Sequence, residues 1–185
     1  MLDWVAVARE WKPGEYVAKP AALVALLCYA ATGHHHSPWL IVALACSVLG
    51  DVYLMLPGDL FLLGLAAFLG AHVAYALAIG GPMGERAAWF AAVLVLSGPV
   101  ALPILRAVRA RPMQAAVGVY MLTIAVMVAS AVASGSLVCA GGAVLFMVSD
   151  SLIGWNRFVR PFAHSQLAIM TTYHLGQLAL VTALR

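Results

Sequence analysis

Residues 38–56, PWLIVALACSVLGDVYLML, form a nineteen-residue apolar run interrupted by one charge, Asp51. About 20 predominantly apolar residues carry an α-helix across the hydrocarbon core of a bilayer, so this stretch reads as a membrane span. A charged side chain at the centre of such a helix costs about 2.5–3.5 kcal/mol on insertion scales. Intramembrane acids are therefore rare and usually face a cavity, a partner or a substrate. A second run, VLFMVSDSLIG (144–154), places Asp150 in the same situation. Two such carboxylates in one short chain point to chemistry or ion handling.

The remainder of the 185 residues has the same character: 64% are hydrophobic and 9% charged. A soluble domain is about 45–50% apolar and about 25% charged. The expected fold class is all-α, a polytopic transmembrane helical bundle. Seven spans are predicted, near 17–32, 38–56, 60–80, 87–105, 113–133, 137–155 and 163–184. Turn or interface chemistry separates them, as at Pro57-Gly58-Asp59 and Ser134-Gly135-Ser136. No linker marks a second domain, so 17–185 is expected to be a single transmembrane helical domain. Residues 1–16, with Trp4, Trp11 and Tyr16 among charges, read as an interfacial segment. They lack the long apolar core of a cleavable signal peptide. Ser97-Gly98-Pro99 and Pro103 lead us to expect a kinked fourth span.

The formal net charge of +3 calls for no nucleic-acid partner, because its placement serves topology. Arg9, Lys12, Lys19, Arg106, Arg109, Arg111, Arg157 and Arg160 are eight of the ten basic residues, and all fall on one side of a seven-span arrangement. Arg86 and Arg185 fall on the other. The positive-inside rule then puts the N-terminus in the cytoplasm and the C-terminus outside, in a multi-pass protein of a bacterial inner membrane. Cys28, Cys46 and Cys139 are scattered through apolar runs, which argues against a disulfide framework or a structural zinc site. His34, His35 and His36 are adjacent, point in different directions and sit in a loop, a poor arrangement for a metal.

By helix rise, Asp51 lies roughly 9 Å from Pro57 and Asp150 roughly 10 Å from Arg157, a matched depth in the cytoplasmic half. Gly64, Phe68, His72 and Tyr75 fall within an arc of about 80° on the third span. On the seventh, Gln166, Tyr173 and Gln177 share a narrow arc, with His174 about 100° away. Ser47 stacks one turn from Asp51, and Ser149 shares a stripe with Asn156. Lys19 enters the first span where its amine could reach a phosphate or a carboxylate, or simply anchor the helix. His72, Tyr75, Tyr173 and Gln177 also admit plain packing or hydrogen-bonding roles. No nucleophile elbow, P-loop or HExxH is present.

At these residues the chain resembles the YhhN-like family of integral membrane lysoplasmalogenases. The resemblance rests on Lys19-Pro20, SVLGDVYLML (47–56), GLAAFLGAHVAYALA (64–78), GGAVLFMVSDSLIGWNRF (141–158) and TYHLGQ (172–177), in the family's order. Family members usually carry a further helix ahead of the Lys-Pro element, making eight spans. Here either the chain is shortened or its start lies upstream.

The resemblance implies hydrolysis of the sn-1 vinyl ether of a lysophospholipid substrate, giving a fatty aldehyde and a glycerophospho-ethanolamine or -choline. Protonation of the vinyl β-carbon, capture of the oxocarbenium ion by water and collapse of the hemiacetal need a proton donor, a nearby negative charge and a placed water. Asp51 and Asp150 meet those needs in interchangeable roles. His72 joins them as a catalytic residue or proton relay. Lys19, Ser47, Phe68, Tyr75, Ser149, Asn156, Tyr173 and Gln177 are the expected substrate-binding residues. No cofactor, resident metal or obligate protein partner is expected, and the surroundings are membrane lipids. Two other readings stay open on the residues themselves. Asp51, His72, Asp150 and His174 could hold a metal in an intramembrane lipid hydrolase. The same acids and histidines could instead relay protons in a carrier or lipid sensor.

Overall fold

Hydrocarbon offers no water to backbone N–H and C=O groups, so a spanning segment must satisfy them within itself, and the α-helix does so. The computed structural model describes the backbone of residues 12–33, 37–81 and 83–185, and side chains over 21–33, 37–81 and 84–185. Among the described residues seven α-helices follow one another: α1 (Lys12–Ala31), α2 (Pro38–Met55), α3 (Phe61–Ile79), α4 (Met83–Ala107), α5 (Arg111–Ala133), α6 (Leu137–Gly154) and α7 (Ser165–Leu184). Among the described residues there is no strand, and six helices, α2 to α7, are long and apolar enough to cross a membrane. In α1 the apolar stretch that is described is the shorter Ala21–Ala31. The chain is thus an all-α, multi-pass membrane protein. Residues 1–11 of the expected interfacial segment, the Lys19 side chain and the His34–His36 triplet lie outside the described residues.

Helix boundaries follow local chemistry. The Ser37 hydroxyl caps α2 by accepting from the Trp39 N–H at 3.3 Å, and Pro38 opens the helix where its missing N–H costs nothing. α2 ends because Pro57 pushes the preceding residue into extended backbone, and Leu56 has φ −62° and ψ 146°. α4 starts four residues ahead of the expected 87, at Met83. Glu85 and Arg86 end the apolar run, but helical hydrogen bonding continues through them. α4 then runs on as helix through both Pro99 and Pro103. Each proline lacks an N–H, which releases the carbonyls of Val95 and Pro99 from the ladder. α1 likewise extends back to Lys12, five residues before its expected start at 17.

The chain divides into two compact units, Met1–Ala78 with Leu184–Arg185, and Ile79–Ala183. In the first, α1 packs on α2. α2 buries Leu40, Ala43, Leu44, Ser47, Gly50 and Asp51, a single stripe at three- and four-residue spacing. The Arg185 guanidinium stacks 3.8 Å over the Tyr29 ring and donates to the Thr32 hydroxyl at 3.2 Å.

In the second unit α5 packs on both α4 and α6. The Gln114 amide of α5 donates to the Leu105 carbonyl at 3.0 Å, satisfying an acceptor in the last turn of α4. Ser136 caps α6 by accepting from the Cys139 N–H at 3.3 Å. α6 closes in one wide π turn, Trp155–Val159, where the Arg160 N–H reaches back five residues to the Trp155 carbonyl at 3.1 Å. α6 and α7 cross where Gly142 meets Gly176. A Cβ on Gly142 would stand 2.9 Å from the Leu180 nitrogen and 3.0 Å from the Gly176 oxygen; one on Gly176 would stand 3.0 Å from the Gly142 oxygen. Small residues that let backbones approach are the usual packing device in lipid.

Gly141 supplies a built-in control, since a Cβ there meets nothing within 4 Å. Replacing Gly142 with Leu should therefore destabilise the protein by about 1–3 kcal/mol, the usual cost of overpacking. Gly141→Leu should be close to neutral. Thermal unfolding of the two variants in detergent checks this, and equal melting temperatures would contradict the close crossing.

Candidate active site

The buried stripe of α2 presents Asp51 with only 5% of its surface exposed. Gly50, just before it, is required by packing. A Cβ at that position would lie 2.6 Å from the Phe68 ring of α3, so any larger residue would displace the ring. Ser47, one turn earlier, is fully buried and donates to the Ala43 carbonyl of its own helix at 2.9 Å. On α3 the expected stripe holds together: Gly64, Phe68, His72 and Tyr75 are all buried. An acid, a histidine and a tyrosine thus occupy buried faces of α2 and α3 within the first unit.

In the second unit consecutive residues of α6 turn to different neighbours, as the helix's step of about 100° per residue requires. The Ser149 hydroxyl, fully buried, donates to the Ile169 carbonyl of α7 at 3.1 Å. Asp150 turns instead to α5 and accepts from the Tyr120 hydroxyl at 3.0 Å through Oδ2. Tyr120 is itself buried and Asp150 half-buried. Tyr173 of α7 is buried edge-on against Phe146, with ring centroids 5.2 Å apart, and lies 5.5 Å from the His174 ring. Gln177 is fully buried one turn further on. Asn156 falls in the wide turn, where its Oδ1 accepts from the Phe162 N–H at 3.3 Å and holds the loop leading to α7.

Tyr120 escaped the sequence reading. Depth was the available signal: it lies nine residues beyond Arg111, roughly 13 Å by helix rise, close to the level of Asp150. Among the described residues no group of three or more His, Cys, Asp or Glu side chains is gathered as a metal site. What the arrangement offers is acid–base chemistry from carboxylates held in apolar helices, one of them oriented by a phenol.

Apolar helices long enough to cross a membrane, carrying one buried and one half-buried carboxylate, define a multi-pass membrane protein with intramembrane acids. The chain belongs to the YhhN family, whose model matches residues 14–184. Human lysoplasmalogenase TMEM86B is 34% identical over 95% of this chain and 80% of its own length. The lysoplasmalogenase TMEM86B of Sus scrofa is 35% identical over 84% of this chain and 67% of its own. A Mycobacterium bovis lysoplasmalogenase is 30% identical over 88% of this chain and 67% of its own. No solved structure matches the chain.

The Tyr120–Asp150 bond can be weighed directly. Hydrogen bonds between membrane helices contribute about 0.6–2 kcal/mol. Tyr120→Phe should lower thermal stability in detergent by an amount in that range. Asp150→Asn, whose amide oxygen still accepts from the phenol, should lose less. The opposite order would show that the bond does not tie α5 to α6.

Proposed function

We propose that this protein is a lysoplasmalogenase that hydrolyses the sn-1 vinyl ether of lysoplasmalogens to a fatty aldehyde and a glycerophospho-ethanolamine or -choline. The observation that carries the reading is the 30–35% identity, over most of the chain, to proteins bearing that name. The chemistry of the chain supports it. Vinyl ether cleavage begins with a C–H bond forming at the β-carbon, so a carboxylic acid is the natural donor. The resulting oxocarbenium ion is stabilised by a carboxylate and takes up water at the α-carbon, while a carboxylate accepts the water's proton and the acid is restored. The hemiacetal then transfers its proton, breaks its bond to the glycerol oxygen and releases the aldehyde.

Asp51 and Asp150 are assigned as the acid and its charged partner, in either order, and Tyr120 orients Asp150 for the task. His72 relays protons. Lys19 holds the substrate phosphate, while Phe68, Tyr75, Tyr173 and Gln177 contact the lipid. Ser47 and Ser149 are further substrate-binding residues on the helices that carry the acids, as is Asn156, which also holds the loop leading to α7. The lysophospholipid enters from the surrounding membrane, taken here to be a bacterial inner membrane with the N-terminus in the cytoplasm. The distribution of arginine and lysine supports that orientation.

Asp51→Asn and Asp150→Asn, each checked for folding, should lower aldehyde release by about 10²–10⁴-fold, the usual range for general acid–base catalysis. Full activity in either variant would remove that residue from the mechanism. The assay should offer matched lysolipids with vinyl-ether, alkyl-ether or ester links at sn-1. Aldehyde from the first alone is expected, whereas fatty acid from the ester would make the protein a lysophospholipase. A periplasm-active phosphatase fused after Arg185 should be active, and an inactive fusion would reverse the orientation.

A further inference from the structure

The second unit carries a groove of about 770 Å³ that the acid–base reading does not use, bounded by α4, the C-terminal part of α5, α6 and the loop after it. Its α6 wall is the stripe Val144, Met147, Val148, Ser151, Leu152 and Trp155. At about 100° per residue this stripe is centred roughly 120° around the helix from Asp150, so a molecule held here lies away from that carboxylate. The groove offers almost no hydrogen bonding. The hydroxyl of Ser151 is spent on the Met147 carbonyl at 2.8 Å, and α4 contributes mainly apolar side chains such as Val93, Leu96 and Val100.

One end differs. Arg160 lines the groove beside Trp155 and Phe162, just past the wide turn that ends α6. Its side chain is exposed, and among the described residues it has neither a carboxylate nor an aromatic partner. A guanidinium presents a fork of donors matched to phosphate oxygens, and tryptophan is enriched at the level of lipid headgroups. From Val144 to Trp155 the α6 wall is roughly 16 Å long by helix rise, and from Trp89 to Val100 the α4 wall is the same. That is about half of the ~30 Å hydrocarbon core, the depth of one leaflet.

We propose that this groove binds a glycerophospholipid of the bilayer, with its phosphate on Arg160 and one acyl chain lying between α4 and α6. The groove is turned away from Asp150, and the proposal does not depend on the enzymatic reading. A charged fork at the end of an apolar trough one leaflet deep complements an amphiphile with an anionic head. It suits neither a free anion, which would leave the trough empty, nor a neutral hydrocarbon, which would leave the guanidinium without a partner.

Native mass spectrometry of the purified full chain in detergent, titrated with phosphatidylglycerol, tests this. One lipid should be retained per chain. Arg160→Ala should weaken retention by about tenfold or more, as expected for loss of a charge-assisted hydrogen bond. Val148→Trp and Val100→Trp, which fill the trough from opposite walls, should abolish retention; if one does not fold, the other decides. Arg109→Ala, in a loop that does not line the groove, should leave retention unchanged. Retention unaffected by Arg160→Ala and by the tryptophan variants would overturn the proposal. Equal weakening by Arg109→Ala, displacement by inorganic phosphate alone, or equally tight binding of a neutral alkane would overturn it as well.

Discussion

A polar group left unmatched in hydrocarbon costs several kcal/mol, and the structure is organised around that penalty. The backbone meets it by being helical. Most hydroxyls meet it by donating to a carbonyl one turn back, as Ser47, Thr123, Ser130, Ser151, Thr172 and Thr182 all do. Such bonds satisfy the hydroxyl proton within the group's own helix. Gln114, Tyr120 and Ser149 behave differently, each reaching across to another helix. Those three bonds connect α4 to α5, α5 to α6 and α6 to α7. These three polar groups therefore lace the second unit together, and one of them ends on a carboxylate.

This places structural and chemical demands on the same residues. Tyr120 supports Asp150 and also joins two helices, so stability and the acid–base role proposed for Asp150 meet at that point. Asp51 belongs to the other unit. It sits on a stripe whose close fit to α3 depends on the absence of a side chain at Gly50, where the Phe68 ring takes the space.

Much of this was legible in the sequence, because bilayer thickness fixes the length of an apolar run. α2, α3, α5, α6 and α7 begin and end within two residues of the predicted spans. α4 and α1 run longer because helical hydrogen bonding does not stop at the first charged residue. The stripe of Gly64, Phe68, His72 and Tyr75 was legible from angular periodicity within a single helix. Tyr120 was not, since periodicity states which residues share a face and not which helix that face meets; its partner lies 30 positions further along the chain. Asn156 was placed on a stripe with Ser149 by extending a regular helical step. It lies in the wide turn, where that step no longer applies, and its side chain serves the following loop instead.

The crossing at Gly142 and Gly176 carries a consequence for how this protein tolerates change. Where helices meet through side chains, their spacing varies with every substitution at the contact. Here the closest approach is main chain to main chain, so the distance is set by atoms that every amino acid shares. Substitutions elsewhere on α6 and α7 can accumulate without altering that separation while the two glycines remain. Ser149 and Asp150 stand two turns along α6 from this fixed point and inherit its constancy. Mutational freedom over most of these two helices thus rests on the near absence of freedom at two positions.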